Sequence, residues 1–229
     1  MDSPRTLRGF WSAHPTLGPP LALAGLAALW LAGVNTLWFL VLPAIAVAAL
    51  CACTYVYAAS VHILGDQDMP GAGRVFGLGV RAVLLKALAF SMVLYVVLVL
   101  PAGSFEALAR GTSAGAAAFY VFMAAAGLDQ TLLALFLAHA PDQGMTDAVR
   151  GTFTLLVRRF PTFLAVWAGF ISLQALLVAA VQAYASTLDT AGVSAMDAVL
   201  RGLVPFVLAP LFMGVRRRFG TAQSTQTMS

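Results

Sequence analysis

The pentad Gly111-Thr112-Ser113-Ala114-Gly115 has the G-x-S-x-G form of a nucleophile elbow, where small neighbours leave a serine hydroxyl open to attack a carbonyl. Such a serine needs a base within about 3 Å. The histidines are His14, His62 and His139. The placement of elements argued below puts all three at the far end of an apolar span from Ser113, on the order of 30 Å away. The pentad therefore reads as a helix start, with Ser113 as N-cap and small residues for close packing. Gly77-Leu78-Gly79-Val80-Arg81-Ala82 has the spacing of a dinucleotide fingerprint, but that motif requires a preceding strand, and here an apolar span follows instead. Gly73 and Gly77, four apart, suit a close helix contact. Cys51 and Cys53 are two apart and point to different sides of a helix, which disfavours both a disulfide and a metal pair. The chain has no Walker sequence, no H-E-x-x-H and no paired carboxylates, so no catalytic residue, cofactor or metal is expected.

Asp129 is harder to explain by packing alone. It lies about ten residues from the end of an apolar span, or about 15 Å at 1.5 Å per residue, near the middle of a bilayer. An ionisable residue there costs about 2.5 to 3.5 kcal/mol on insertion scales and marks a pathway, a relay or a partner. Three readings follow: an ion pair with Lys86 from the neighbouring span, a proton or ion relay with Gln130, or a neutral carboxyl bonded to a neighbouring helix. Gln174 and Gln182, eight apart on another span, share a face that could line a cavity or bond a partner helix. The intramembrane polar candidates are thus Asp129, Gln130, Lys86, Gln174 and Gln182.

The elements that must position these residues are apolar throughout. Hydrophobic residues make up 61% of the chain and charged residues 10%, with a mean hydropathy of +0.89. A soluble domain carries about 25% charged residues, so the composition is that of a polytopic membrane protein. The formal charge of +4 and pI near 9.5 do not point to nucleic acid, because each basic cluster abuts an apolar run without solvent-facing aromatics. Of the 13 basic residues, all but Arg110 and Arg201 fall in four clusters: Arg5 and Arg8; Arg74, Arg81 and Lys86; Arg150, Arg158 and Arg159; Arg216, Arg217 and Arg218. The positive-inside rule places all four in the cytoplasm, which requires an even number of crossings between neighbouring clusters.

Six helical spans satisfy this within a single integral domain, residues 1–229. They run from about Leu17 to Gly33, Leu37 to Ala59, Val80 to Leu100, Ser113 to Ala138, Phe160 to Ala185 and Val199 to Val215. A turn at Gly33-Val34-Asn35-Thr36 breaks the first apolar run, flanked by Trp30 and Trp38. Pro101 and Pro141 stop the third and fourth spans, and Pro205 and Pro210 should kink the sixth. Both termini are cytoplasmic. A cleaved signal peptide is the alternative for the first span, although no polar cleavage region follows it. Arg201 and Asp197, four apart, suit a local ion pair.

Short amphipathic segments precede alternate spans: Leu7-Arg8-Gly9-Phe10-Trp11, Gly73 to Arg81, and Met145 to Phe153 followed by Arg158-Arg159-Phe160. Each reads as a helix on the cytoplasmic surface that turns into a crossing. In the last, Val149, Phe153, Leu156 and Phe160 form one stripe. The three units are either an internal repeat or the common appearance of basic segments beside membranes. This layout resembles the YciC-like and related families of uncharacterised six-span bacterial inner-membrane proteins. The resemblance implies an all-α transmembrane bundle in a bacterial inner membrane and brings no reaction with it. The expected role is non-enzymatic: organising or assisting other membrane components. Arg74, Arg81, Arg150, Arg158, Arg159, Arg216, Arg217 and Arg218 would face anionic lipid head groups, a membrane-protein partner or a second copy. The alternative is a small transporter or channel around Asp129.

Overall fold

Long runs of Ala, Leu and Val broken only by Gly, Pro and short polar stretches fold into helices, and no strand occurs among the described residues. The computed structural model describes residues 38–64, 72–184 and 204–218. Six helices lie there. α1 is Trp38–Leu64. α2 is a continuous helix, residues 72–109, in which α-helical turns alternate with π-helical turns at Val80–Leu84 and Tyr95–Val99. α3 is Gly115–Leu137, α4 is Met145–Arg158, α5 is Phe160–Tyr184, and α6 is residues 204–218. Among the described residues, two helices are long and apolar enough to cross a membrane: Gly73–Ala109, with 37 residues, and Gly115–Leu137, with 23. The first span, the Asn35 turn, Trp30, His14, the Leu7 to Trp11 segment, Arg5, Arg8, Asp197 and Arg201 lie outside the described residues.

α3 is the central element. Every residue from Thr131 to Ala140 is buried. α2 packs on it through Phe90 and Phe136, whose rings stack with centroids 4.2 Å apart. Trp167 of α5 donates its indole N–H to the carbonyl of Ala124 at 3.1 Å. Ala209, Phe212 and Met213 of α6 join the same apolar core.

The prolines act differently from one another. Pro101 was expected to stop a helix, yet α2 continues through it to Ala109. Proline lacks an N–H, and its ring clashes with the carbonyl four residues earlier, here Val97. Val97 lies in the π-helical turn Tyr95–Val99, whose wider winding relieves that clash. Pro161 has no such turn before it, and there α4 ends, with Arg159 at φ −129° and ψ 39°. Of the two described lead-in segments, only α4 is therefore a separate helix. The Gly73 to Arg81 segment runs straight into α2.

Gly73 and Gly77 are not the close contact expected of them, since a side chain built on either meets nothing within 4 Å. The tight glycine is Gly79, where an added Cβ would lie 2.9 Å from the Thr54 Cα of α1.

Candidate functional site

A helix ends with carbonyls that lack partners, and α3 ends inside the protein at Leu137, four residues before Pro141, so its C-cap and the turn that follows need donors from elsewhere. Two cations supply them. Lys86 of α2 donates to the carbonyls of Ala140 and Gln143, each at 2.6 Å. Arg216 of α6 donates to the Ala138 carbonyl at 2.9 Å and grips both carboxylate oxygens of Asp142, at 2.8 and 2.6 Å. Positive charge at a helix C-terminus is favourable, and a bidentate guanidinium–carboxylate pair adds direction.

This arrangement corrects the expected pairing of Lys86 with Asp129. Asp129 is 11 residues before Ala140, about 16 Å farther along α3 at 1.5 Å per residue, beyond the reach of a lysine anchored at Ala140. Arg216, expected to face lipid, is spent on Asp142 and Ala138.

Beside this junction lies an open cleft of about 550 Å³, lined by His139, Gln143, Asp147, Arg150, Thr154 and Arg158 among others. The α4 residues follow helical spacing and form one stripe. The wall is held by close packing: a Cβ on Gly151 would come within 2.7 Å of His139 Nδ1, so the imidazole lies flat on the α4 backbone. His139 is 5% exposed, and its Nε2 has no hydrogen-bond partner. Burial, and then the nearby Arg216 guanidinium, hold its pKa well below the usual imidazole value, at about 4, while Asp142 and Gln143 oppose them.

Most other polar groups here are committed. The Gln143 amide, in the orientation that suits its neighbours, accepts from Arg216 at 2.9 Å and donates to the Asp147 carbonyl at 3.2 Å. The Thr154 hydroxyl donates to the Arg150 carbonyl at 2.8 Å. Among the described residues, the guanidiniums of Arg150 and Arg158 have no hydrogen-bond or ion-pair partner. Next to them on α4, Phe153 is 49% exposed, Val157 76% and the following Phe160 54%. In the expected stripe, Val149 and Leu156 pack against the core while Phe153 is exposed and Phe160, though exposed, stacks on Phe163 with ring centroids 6.4 Å apart.

Asp129 and Gln130 do not line this cleft. Asp129 is 5% exposed; Gln130 donates to its Oδ2 at 2.8 Å. Asp129 Oδ1 and Gln130 Oε1 are buried without partners. The side chains of Gln174 and Gln182 on α5 lie outside the described residues. Arg74 and Arg81 are exposed on the first turns of α2, and Arg159, Arg217 and Arg218 are engaged with neighbours.

Ser113 sits at the opposite end of α3 from His139, separated by the full helix of 23 residues, about 35 Å. It is not the N-cap: Ala114 holds that position without a side-chain cap. Thr112 instead closes the turn before the helix, its hydroxyl accepting from the Ala114 N–H at 3.2 Å and donating to the Ala109 carbonyl at 2.7 Å. Sequence reading passed over His139, Asp142 and Gln143 as a connected cluster, although a polar run directly after a proline-stopped helix was visible. No protein-family model, curated protein or solved structure matches the chain.

Proposed function

We propose that the chain is a six-span, YciC-like protein of a bacterial inner membrane, with both termini cytoplasmic, that organises or assists other membrane components or lipids without acting as an enzyme. Its apolar composition, the clustering of its basic residues and two helices of spanning length support the membrane reading. The observation that carries the role is the outer side of α4, where Phe153 and Val157 stand exposed beside the unpartnered Arg150 and Arg158, with exposed Phe160 following at the start of α5. Apolar side chains that enter the acyl boundary next to cations that meet anionic head groups are the design of an interfacial docking helix. To test this, the full chain is extracted from native membranes and its bound lipid and protein partners are measured. Enrichment of anionic phospholipid or a stoichiometric partner, reduced by Phe153→Ser or Arg150→Gln, is expected. A lone monomer with the lipid composition of the bulk membrane rules the role out.

A second reading, a small transporter or channel, is favoured by one observation: the orphaned oxygens of Asp129 and Gln130. Buried polar atoms normally have partners, and a transported proton or cation would supply them. Asp129→Asn should then alter a flux measured in proteoliposomes while the fold is kept. An unchanged flux removes this reading.

A further inference from the structure

Several features of the molecule remain unexplained. The orphaned oxygens of Asp129 and Gln130 belong to the second reading above. The exposed apolar face of α2 carries nothing that says what covers it. The cleft beside α4 is more specific, because its unmet hydrogen-bonding groups define a ligand.

Around that cleft the committed groups can be set aside. Arg216 is held by Asp142 and the Ala138 carbonyl, Gln143 by Arg216 and the Asp147 carbonyl, and the Thr154 proton by the Arg150 carbonyl. The donors left are the guanidiniums of Arg150 and Arg158, eight residues apart on α4, which line the same cleft with Thr154 between them. The acceptor left open to the cleft is the Asp147 carboxylate, one turn before Arg150; His139 Nε2 is unpartnered but sealed from it. The stripe thus offers a carboxylate at one end, the Arg150 guanidinium one turn on and the Arg158 guanidinium two turns beyond that.

An anion alone would satisfy the guanidiniums and be repelled by Asp147. A ligand with an anionic head and a donor a few bonds away satisfies both ends. Guanidiniums bind phosphate oxygens with paired N–H donors, and an ammonium or hydroxyl is the natural partner of a carboxylate. We propose that this cleft binds a phosphate ester whose alcohol portion carries a hydrogen-bond donor, such as phosphoethanolamine or phosphoglycerol, with the phosphate on Arg150 and Arg158 and the donor on Asp147. The ester is either the head group of a phospholipid or a soluble molecule. This inference rests on the docking reading above and adds the identity of the bound group.

The site places the phosphate at the level where exposed Phe153 and Val157 would enter the lipid boundary, so one helix holds both acyl and head-group contacts. Asp147 supplies selectivity. Phosphocholine, whose quaternary ammonium keeps the charge but has no N–H, forfeits the hydrogen bond to the carboxylate and binds more weakly.

The test uses the full chain in maltoside micelles, which contain no phosphate, titrated calorimetrically with phosphoethanolamine, phosphocholine and inorganic phosphate. Phosphoethanolamine should bind saturably and more tightly than phosphocholine. Arg150→Gln and Arg158→Gln should each weaken it at least about tenfold, and Asp147→Asn should reduce it to the phosphocholine level. All three side chains are exposed, so these variants keep the fold. A short-chain phosphatidylethanolamine that binds more tightly than phosphoethanolamine identifies the lipid as the source; equal affinity identifies a soluble ester, and either result supports the site. Absence of saturable binding in the unaltered chain, equal binding of the two esters, or indifference to Arg150→Gln and Arg158→Gln overturns it. Enrichment of phospholipid, phosphatidylethanolamine as well as anionic lipid, measured on the same preparations separates the two ideas. If enrichment persists without ester binding, only the cleft assignment fails; if ester binding persists without enrichment, only the docking reading fails.

Discussion

Gly79 rather than Gly73 or Gly77 is where α2 and α1 touch, and the difference is measurable. A methyl group at Gly79 must displace the α1 backbone at Thr54 and Cys53, so Gly79→Ala should lower stability by about 1 to 3 kcal/mol. Gly77→Ala meets open space and should be neutral or stabilising by up to about 1 kcal/mol through helix propensity. Denaturant titration in micelles compares the two; equal effects would refute the contact. His139 gives a pH prediction. Folding lowers its pKa from the ordinary imidazole value of 6.5 to about 4, so the unfolded chain takes up the proton first. The stability held by the neutral ring is complete above about pH 6.5 and is lost as pH falls through that window to about 4. Burial and then Arg216 make protonation costly, whereas Asp142 and Gln143 offset part of that cost. Unfolding midpoints should therefore fall between those pH values, and His139→Gln should flatten the fall. An unaltered profile in that variant would assign the pH dependence to other groups.

At the scale of elements, register decides what the side chains do. Lys86 was legible as a lysine near a span, and Asp129 as a buried carboxylate in the next span. Their pairing was inferred from adjacency in sequence, but adjacency does not say how far two helices slide past each other. α2 places Lys86 level with the end of α3, and Asp129 lies about 16 Å deeper. A double-mutant cycle of Lys86→Met and Asp129→Asn should accordingly be additive to within about 0.5 kcal/mol, with Lys86→Met alone costing about 2 to 3 kcal/mol through lost charge-assisted bonds. A coupling well above that limit would restore the ion pair. The prolines teach the same lesson. Pro141 and Pro161 accompany helix ends as their chemistry suggests, but Pro101 is carried through by a π-helical turn that no residue pattern in α2 announces. Pattern fixes where apolar runs lie; the winding within a run answers to packing on both sides.

At the scale of the whole molecule, the proposed topology sets Ser113 and Asp142 on opposite sides of a membrane, at the two ends of α3. In a background lacking Cys51 and Cys53, a membrane-impermeant thiol reagent added to intact cells should label Ser113→Cys. It should label Asp142→Cys only after lysis. Labelling of both in intact cells would overturn the six-span arrangement. The segregation of Arg and Lys, the long apolar runs, the helical class and the separation of Ser113 from His139 follow from the sequence by itself, because hydropathy and charge act locally and add along the chain. Tertiary structure alone decided that Lys86 and Arg216 close the end of α3, that His139 lies sealed against Gly151, and that Arg150, Arg158 and Asp147 are left facing one cleft. Those outcomes depend on the relative shift and rotation of four helices, and a hydrogen bond formed or missed within about 3 Å is set by that geometry, not by the order of residues.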